Sequence, residues 1–364
     1  MRVLVLTTQY PDPNGYVRQF FVHTRNRWYA RNGIEVDVVS FGATRNYVID
    51  DVRVYTTHSY ELELRKKRYD LLVSHAPNLR NHVLFLLRHG ALFRNMVFFF
   101  HGHEVLRTSE IYPEPYDYMR QFQTNRLVRQ YYDWIKLRVL RSYFNREAYK
   151  SQFVFVSKWM ENMFSKYVKL PPHILETRGH IIYNSVGEAF ETSNYDYHSE
   201  KKYDFMTIRN HMDGAKYCID LVVRIARANP QYKFCVVGKG RFFTVNKKPD
   251  NVVWLDKHLS HEEMLHLLNQ ARYALMPTRA DAQGVSACEM ATFGIPLITS
   301  AIDITQEVFE GFENVGFIGN ENPEIEIRDV MQKIRPASIK NTRFFAVNTI
   351  GKELELFRKV TLLS

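Results

Sequence analysis

The stretch YALMPTRADAQGVSACEMATFGIPLITS, residues 273–300, decides the fold class of this chain. It contains two short apolar runs, 273–278 and 295–300, separated by a polar turn and a helical pattern at 285–293. A helix between two apolar strands returns the chain to the same end of the sheet, so the two strands are parallel. Strands that are apolar throughout also indicate a sheet covered by helices on both faces.

The same alternation of apolar runs and helical patterns extends over the whole chain. Strands are predicted in the first half at 2–8, 35–41, 52–57, 70–75, 96–101, 153–157 and 180–185. Further strands are predicted in the second half at 203–209, 232–238, 251–256, 273–278, 295–300 and 315–319. Helical patterns include 17–33, 216–229, 261–271 and 350–363. Because a polar interruption at 186–202 separates the two series, we predict two doubly wound α/β domains that face a central cleft, 1–187 and 188–349. The closing helix, 350–364, is expected to pack back on the first domain.

Composition is typical of a folded chain of this size, with 364 residues of which 45% are hydrophobic and 24% charged. Cys218, Cys235 and Cys288 form no CxxC pair, which favours a reducing compartment. The opening apolar run is too short for a signal peptide, and MVFFF at 96–100 is too short for a membrane span. We therefore expect a soluble cytoplasmic protein that can still contact a membrane surface.

The net charge of +10 is unevenly distributed along the chain. Residues 1–190 contain 27 Lys and Arg against 17 Asp and Glu, whereas the remainder contains 22 of each. Such asymmetry predicts a polyanionic or membrane-surface partner for the first half, although a solvated basic surface would give the same count.

The residues that follow predicted strands are candidate ligand contacts, because doubly wound sheets bind ligands beyond the carboxyl ends of their strands. After the strand at 273–278, Gly284 lets a ligand approach a helix start whose free N–H groups suit a phosphate. Asp281 and Glu289 can accept hydrogen bonds from sugar hydroxyls. Alternatively, Ser286 and Glu289 form a capping box and Asp281 closes an Asx turn, with no ligand present.

Two cations stand at corresponding positions earlier in the second half. Arg209 ends the strand at 203–209 and Lys216 opens the next helix, so the pair could clamp a diphosphate. Gly238 lies in VGKGR, 237–241, which follows another strand but is too short for a Walker loop. Each cation taken alone is equally well explained as an exposed surface residue.

Taken in order, these segments resemble the retaining glycosyltransferases of family four, which have the two-domain GT-B fold. The family's hallmark is an acidic residue, seven intervening residues, a Glu and a G-x-P strand, and DAQGVSACEMATFGIP fits it from Asp281 to Glu289. Asp281 stands where the family usually has Glu, so its carboxylate is one bond shorter in reach. Other matching segments are the Arg209 and Lys216 pair, TTQYPDPNGYVRQF (7–20), FFFHGHE (98–104), FVSKWM (155–160) and HIIYNSV (180–186).

The resemblance implies transfer of a sugar from a nucleotide-diphosphate sugar, for which we expect UDP, with retention at the anomeric carbon. It implies no cofactor other than this donor and no metal ion. The implied diphosphate contacts are Arg209, Lys216 and the backbone of Gly284, Val285 and Ser286. Gly15 would lie under the donor phosphates and beside the acceptor, and Gly238 is a further predicted donor contact. The predicted catalytic residues are His101, Asp281, Arg209 and Lys216. Asp281 would hold the donor sugar, Glu289 the ribose hydroxyls, and His101 a hydroxyl of the donor sugar. The leaving phosphate itself would take the acceptor proton.

The acceptor side is predicted from the segment 112–150, in which arginines alternate with aromatic residues. A basic amphipathic helix of this kind can lie on an anionic membrane. The expected contacts with acceptor or membrane are Tyr16, Trp134, Arg138 and Arg141. Since family members often use such acceptors, we expect a glycan or lipid-linked glycan of a surface polysaccharide. The aromatic residues could instead pack inward beneath an ordinary exposed helix.

Two other functions compete with this interpretation. A nucleotide-sugar epimerase on the same fold would use the donor without any acceptor. A nucleic-acid-binding protein would use the basic half, but no recognition module is present and no nucleic-acid partner is expected. A dinucleotide-dependent oxidoreductase is disfavoured, because TTQYPDPNG stands after the first strand where G-x-G-x-x-G would be required. The sequence does not indicate the oligomeric state.

Overall fold

The structure, a computed structural model, describes residues 1–13, 19–122 and 124–362. The chain forms two compact units. The first unit comprises Met1–Arg107, Gln130–Ser185 and Ala346–Ser364, and the second comprises Thr108–Arg129 and Val186–Phe345. The predicted division at residue 188 lies close to the observed junction. The segment Thr108–Arg129, which the sequence placed in the first domain, groups with the second unit and is called the 108–129 segment below.

The first unit is built on an eight-stranded sheet. Its strands are β1 (Arg2–Thr7), β2 (Glu35–Ser40), β3 (Tyr47–Ile49), β4 (Val52–Tyr55), β5 (Leu71–His75), β6 (Met96–Phe100), β7 (Ser151–Phe155) and β8 (Gly179–Ile181). The spatial order is β3-β4-β2-β1-β5-β6-β7-β8. All pairs are parallel except β3 with β4. Chain order therefore reverses between β1 and β5, which is the switch point of a doubly wound sheet.

The α-helices that precede the second sheet in the sequence are α1 (Phe20–Arg31), α2 (Thr57–Ser59), α3 (Leu84–His89), α4 (Thr108–Ile111), α5 (Arg126–Glu147), α6 (Lys158–Val168), α7 (Pro172–Arg178) and α8 (Glu188–Thr192). Shorter helical turns of the 3₁₀ or π type cover Tyr60–Leu64, Leu79–Val83, Gly90–Leu92, Asp117–Phe122 and Ala148–Lys150. Helix α6 begins at a Ser157 cap, whose hydroxyl accepts a bond from the Met160 N–H.

The second unit has a six-stranded, fully parallel sheet. Its strands are β9 (Tyr203–His211), β10 (Phe234–Lys239), β11 (Val252–Leu255), β12 (Ala271–Met276), β13 (Leu297–Ser300) and β14 (Val315–Ile318), in the order β11-β10-β9-β12-β13-β14. Chain order reverses between β9 and β12, as in a Rossmann sheet. The remaining helices are α9 (Ile219–Ala228), α10 (Phe242–Val245), α11 (His261–Asn269), α12 (Val285–Phe293), α13 (Asp303–Val308), α14 (Pro323–Lys333) and α15 (Ile350–Leu362). Turns of 3₁₀ type cover Ala215–Tyr217 and Ala346–Asn348.

The last helix, α15, belongs to the core of the first unit. Leu354 and Phe357 are buried with Val3 and the other apolar residues of the central strands. Beneath this layer, the guanidinium of Arg25 pairs with the Glu353 carboxylate at 2.9 Å, and both side chains are almost fully buried. A buried ion pair is tolerated when its geometry is good and its other hydrogen-bonding groups are satisfied. Arg25 meets this condition by also bonding Asn184 at 2.9 Å.

The strand–helix–strand pattern predicted for 273–300 is confirmed by β12, α12 and β13, and the two strands are parallel. Gly294 ends α12 with φ of +101°, a backbone conformation that suits glycine and turns the chain toward β13. The predicted strand at 180–185 is shorter, ending at Ile181, and β3 was not predicted. In the part of the chain that the structure describes, no helix combines the length and apolarity needed to cross a bilayer.

Candidate functional site

The carboxyl edge of the second sheet brings most predicted donor contacts together. Arg209 lies near the end of β9, and Asp281 lies in the loop after β12. These two strands are neighbours on either side of the point where chain order reverses. A doubly wound sheet opens a crevice at this point, so the two side chains stand where such sheets bind ligands.

Arg209 is a buried cation whose hydrogen bonding is incomplete. Its Nη2 donates to the Pro277 carbonyl at 2.6 Å, and only 8% of the residue is exposed. Its Nε is buried and has no hydrogen-bond partner among the residues described. Burial lowers the pKa of this guanidinium, although an arginine remains charged at neutral pH. A buried charged donor without a partner is costly, which indicates that an acceptor from a ligand belongs there.

Lys216 lies beside Arg209 across one aromatic ring. The Tyr217 ring has the Lys216 Nζ at 4.8 Å and the Arg209 guanidinium at 5.3 Å from its centroid. Lys216 itself lies in the turn Ala215–Tyr217 rather than in α9, which begins at Ile219. No carboxylate pairs with Lys216 in the part of the chain that is described, so both cations are available to an anion.

The start of α12 has a free N-terminus. Its N-cap residue is Gly284, with φ of +76° and no side chain to bond the first N–H groups. The capping box considered from sequence, Ser286 with Glu289, is therefore wrong, because Glu289 lies beyond the first turn and bonds elsewhere. Asp281 does bond its own loop, accepting from the N–H groups of Ala282 at 2.8 Å and Gln283 at 3.5 Å. Val285 and Ser286 are the first two helical residues, so their N–H groups have no partner within the helix.

Glu289 is buried on α12, with 6% of the residue exposed. One carboxylate oxygen accepts a bond from the Gly187 N–H at 3.3 Å and lies 3.6 Å from the His261 Nε2. Burial raises the pKa of Glu289 to about 7. Burial also lowers the pKa of His261, which therefore supplies little positive charge at neutral pH. Glu289 is consequently poised to gain or lose a proton near neutrality.

Gly238, at the end of β10, is explained by backbone packing. A Cβ at this position would overlap the carbonyl oxygen of Arg209, and the residue has φ of +150°. The glycine thus lets β10 approach β9 closely behind the Arg209 side chain. A contact between Gly238 and the donor stays a prediction.

Arg279 is a site-edge residue that the sequence analysis missed. Its guanidinium makes two bonds to the Asp220 carboxylate, at 2.9 and 2.6 Å, and a third to the Ala215 carbonyl at 2.7 Å. The backbone N–H of Arg279 donates to the Lys216 carbonyl at 2.9 Å. Arg279 therefore ties the loop after β12 to the loop that holds Lys216. It follows β12 in the sequence just as Asp281 does, so the reasoning that found Asp281 applies to Arg279 as well.

The 108–129 segment packs on these same loops. The Tyr116 hydroxyl donates to Asp220 at 2.8 Å, and the Tyr118 hydroxyl donates to Asp213 at 2.9 Å. The Tyr112 ring has the Lys216 Nζ at 5.3 Å from its centroid. The neighbouring Tyr116 ring packs against Phe242. Residues from the first third of the sequence thus contact the Lys216 loop directly and reach Arg279 through Asp220, an arrangement with no local sequence signal.

His101, which follows β6 in the first unit, is paired with a second histidine. Its Nε2 lies 3.1 Å from the Nδ1 of His75, the last residue of β5. Burial lowers the pKa of both imidazoles well below the usual value, so both are neutral. The other nitrogen of His75 is buried without a partner, and an unpaired acceptor costs less there than an unpaired N–H. We therefore assign the shared proton to His75, which leaves the Nδ1 of His101 as a hydrogen-bond donor.

A polar pocket of about 640 Å³ lies at the same carboxyl edge of the first sheet. The loops that follow β1 and β2 form most of its wall, and its lining includes Gln9, Tyr10, Asp12, Arg45 and Tyr47. Gly15 and Tyr16, predicted to contact donor and acceptor, lie outside the described residues.

Helix α5 has an exposed aromatic and basic face. Trp134 is 44% exposed, the Arg138 guanidinium lies 4.3 Å from a Trp134 ring centroid, and Arg141 is also exposed. The opposite face is buried, and there Lys136 pairs with Asp133 at 2.6 Å. The basic and aromatic residues of 112–150 therefore divide between surface and core, with Lys136, Tyr143 and Phe144 in the core. Trp134, Arg138 and Arg141 lie on the surface, as a membrane contact requires.

The three cysteines are buried and form no disulfide. Among the described residues, no three His, Cys, Asp or Glu side chains converge as metal ligands. Metal independence nevertheless stays a prediction.

The two units together define the class of fold. Each has a doubly wound, largely parallel sheet, and this pair of Rossmann-like units is the GT-B fold of glycosyltransferases. Sucrose-phosphate synthase from Thermosynechococcus elongatus has the same fold, with a TM-score of 0.73 over 100% of both chains at 14% identity. HepE from Anabaena, bound to UDP and glucose, has a TM-score of 0.64 at 14% identity, covering 99% of this chain and 100% of HepE. WaaG, a glycosyltransferase involved in lipopolysaccharide biosynthesis, has a TM-score of 0.58 at 14% identity, covering 92% of this chain and 90% of its own.

Residues 205–334 match the model of the family described as Glycosyl transferases group 1. The match runs from β9 to the end of α14 and so contains Arg209, Lys216, Asp281 and Glu289. No curated protein matches the sequence. The resemblance drawn from the sequence is therefore confirmed for the fold and for this domain, whereas the roles of individual motif residues stay predictions.

Proposed function

We propose that this protein is a retaining glycosyltransferase that uses a nucleotide-diphosphate sugar as donor. The observation that carries this proposal is the buried Arg209, whose Nε has no partner at the crevice between β9 and β12. The family match to residues 205–334 supports the reaction class. The UDP in the HepE complex supports UDP as the nucleotide.

The chemistry requires positive groups that face the diphosphate as it leaves. Arg209 and Lys216 lie on one aromatic ring, and the start of α12 adds N–H groups that no side chain caps. Fixed donors of this kind stabilise charge that develops on the leaving group without reorganising during the reaction. The departing phosphate oxygen then takes the acceptor proton, so neither a metal ion nor another cofactor is needed.

The sugar and the nucleoside are held by the remaining residues. Asp281 accepts bonds from donor-sugar hydroxyls, and Glu289 accepts bonds from the ribose hydroxyls. His101 presents its Nδ1–H to the donor sugar, because His75 occupies its other ring nitrogen at 3.1 Å. Both histidines are neutral, which suits hydrogen bonding to an uncharged hydroxyl.

The acceptor is a glycan or lipid-linked glycan of a surface polysaccharide. The pocket after β1 and β2 is polar and large enough for a sugar residue. WaaG, which has the same fold, is involved in lipopolysaccharide biosynthesis. Trp134, Arg138 and Arg141 form an exposed face on α5 that suits an anionic membrane surface. The enzyme works in the cytoplasm, at the inner face of the membrane.

The proposal is tested by measuring thermal stabilisation with UDP-, GDP-, ADP- and dTDP-sugars. We expect one of them, a UDP-sugar, to stabilise the protein, and Arg209→Ala to weaken its binding about tenfold or more, as for a lost charged hydrogen bond. Arg272→Ala is the matched control. It removes an exposed ion pair with Asp204, at 3.4 Å, at the opposite edge of the same sheet.

Two outcomes would contradict the proposal. Stabilisation by none of the nucleotides would exclude the donor site. A sugar converted to its epimer in the absence of any acceptor would identify an epimerase instead.

A further inference from the structure

A larger pocket lies in the first unit at the amino edge of its sheet, the edge opposite to His101. It encloses about 1000 Å³. A cation stands just before each of three adjacent strands that border it: Arg94 before β6, Lys150 before β7 and Arg178 before β8. Lys359 of α15 lines the same pocket. Because ligands of doubly wound sheets bind at the carboxyl edge, this pocket is separate from the sugar-transfer site.

The charges of this pocket, called the amino-edge pocket below, are poorly compensated. Its lining contains five lysines and arginines and one carboxylate, Glu147, which Arg146 and Lys150 share at 2.7 and 3.1 Å. Arg94, Arg178 and Lys359 have no carboxylate within 4 Å in the part of the chain described. Arg94 and Lys359 are exposed and Arg178 is half-exposed, with a long bond of 3.5 Å to the Ser151 carbonyl. An anion that joined this cluster would be attracted by all three cations.

The amino-edge pocket also has an apolar component. Leu86, Phe93 and Leu356 form buried parts of its lining, while Leu87 and Tyr149 remain 55% and 70% exposed. A free inorganic phosphate would use the cations but leave these apolar side chains in water. An anionic phospholipid presents a phosphate and an apolar region together, so it matches both parts of the lining.

The last turn of α5 borders the pocket, and this position also favours a lipid. Arg146, in the last turn of α5, lines the pocket, and the exposed Trp134, Arg138 and Arg141 precede it on the same helix. The same helix therefore carries both the exposed basic and aromatic residues and, in its last turn, a cation of the pocket. A protein resting on a membrane through α5 would bring the pocket to the head-group region.

We propose that the amino-edge pocket binds the phosphate of an anionic phospholipid head group. The inference rests on the proposed membrane contact of α5 and adds the site at which a lipid is held. Arg94, Arg178 and Lys359 contact the phosphate, and Leu87 and Tyr149 contact the adjoining glycerol and acyl region.

The test is co-sedimentation of the full-length protein with phosphatidylcholine vesicles that contain or lack phosphatidylglycerol. The pocket variant combines Arg94→Gln, Arg178→Gln and Lys359→Gln. The control combines Lys202→Gln, Lys247→Gln and Lys333→Gln, three exposed residues of the second unit. Both variants lose the same net charge. We expect the wild type and the control to bind anionic vesicles, and the pocket variant to bind about tenfold or more weakly, as three cations lost from the surface predict.

Each alternative outcome has a defined meaning. Equal binding by the pocket variant and the control would overturn the lipid site. The lipid would be overturned as the source of the phosphate by a different combination of results. In that case glycerol phosphate would stabilise the wild type saturably but not the pocket variant, and the wild type would not bind vesicles. Stabilisation by a UDP-sugar is measured on the same preparations, so failure of the donor site would be detected separately.

Discussion

At the scale of single residues, burial determines the chemistry of this site more than the neighbouring sequence does. Glu289 stands in a helix with Ser three residues before it, yet the structure gives it no capping role. Its carboxyl is buried beside the Gly187 N–H, and its pKa rises to about 7. The same burial that prepares this group for a ligand makes its charged form unfavourable when no ligand is bound.

The raised pKa of Glu289 predicts a pH-dependent loss of stability. Between its ordinary pKa of about 4.5 and the folded value of about 7, the unfolded chain releases a proton that the folded protein keeps. Rising pH therefore favours unfolding over this window, by about 3 kcal/mol from this group. Glu289→Gln cannot ionise, so it should escape this loss and be more stable than the wild type at pH 8.

Urea unfolding of the second unit, followed at pH 5 and pH 8, measures this difference. Glu313→Gln, which alters an exposed carboxyl of the same unit, should retain the wild-type pH dependence. The same loss of stability in Glu289→Gln as in the wild type would show that Glu289 is not the buried acid.

Donor binding should have the opposite dependence on the same proton. Ribose hydroxyls donate to a carboxylate, so the affinity for a UDP-sugar should increase as Glu289 loses its proton between pH 6 and pH 8. In Glu289→Gln the affinity should be lower at pH 8 and nearly independent of pH. Isothermal titration with the UDP-sugar, whose diphosphate keeps its charge across this range, checks the prediction, and an unchanged pH dependence in the variant would contradict it.

At the scale of elements, the donor crevice depends on a part of the chain distant in sequence. The 108–129 segment bonds Asp220 and Asp213 through Tyr116 and Tyr118. Asp220 in turn pairs with Arg279, which bonds the backbone of the turn that carries Lys216. Tyr116 itself reaches the proposed donor site through Asp220 and Arg279, so it is a positioning residue.

Tyr116→Phe tests this positioning. The variant keeps the ring that packs on Phe242 and loses the bond to Asp220, which costs about 1 kcal/mol. We expect the KM for the UDP-sugar to increase up to about fivefold with little change in kcat, because the Asp220–Arg279 pair remains. Tyr273→Phe is the control, since it removes a comparable hydroxyl bond, to the Met331 carbonyl at 3.3 Å, away from the site. Equal effects of the two variants on KM would indicate a general loss of stability.

The helices and strands could be predicted from the sequence, but the side-chain contacts between them could not. Apolar runs and helical periods located the strands of both sheets, because parallel strands are buried on both faces and so carry a strong local signal. Arg209, Lys216 and Asp281 could be found because they lie at or after the ends of predicted strands. The contacts of Tyr116 and the pairing of His101 with His75 depend on tertiary packing, which no local pattern encodes. The edge strand β3 was missed because it has only three residues and a half-exposed pattern.

At the scale of the whole molecule, charge is separated from the predicted donor chemistry. All of the net charge of +10 falls within residues 1–190, which contain α5 and most of the first unit. The residues that form the donor crevice come largely from the balanced half. Under the proposed function, this division lets the membrane contact and the donor crevice use different cations.

The exposed face of α5 should therefore govern membrane binding more than total charge does. Trp134→Ser combined with Arg138→Gln and Arg141→Gln removes an aromatic anchor and two cations from one face. The matched set is Arg65→Gln, Lys66→Gln and Arg68→Gln, three exposed cations of the same unit that lie elsewhere in the sequence. The matched set loses three positive charges, whereas the variant of the α5 face, called the α5 set, loses two. If charge alone determined binding, the matched set would therefore bind more weakly.

Co-sedimentation with vesicles containing phosphatidylglycerol compares the two sets at low and moderate salt. We expect the wild type to bind, with binding that weakens as salt screens the cations. The α5 set should lose binding about tenfold or more, because it loses two surface cations and the indole that inserts between head groups. The matched set should retain most of its binding. If the matched set binds more weakly than the α5 set, total charge and not the α5 face attracts the protein to the membrane.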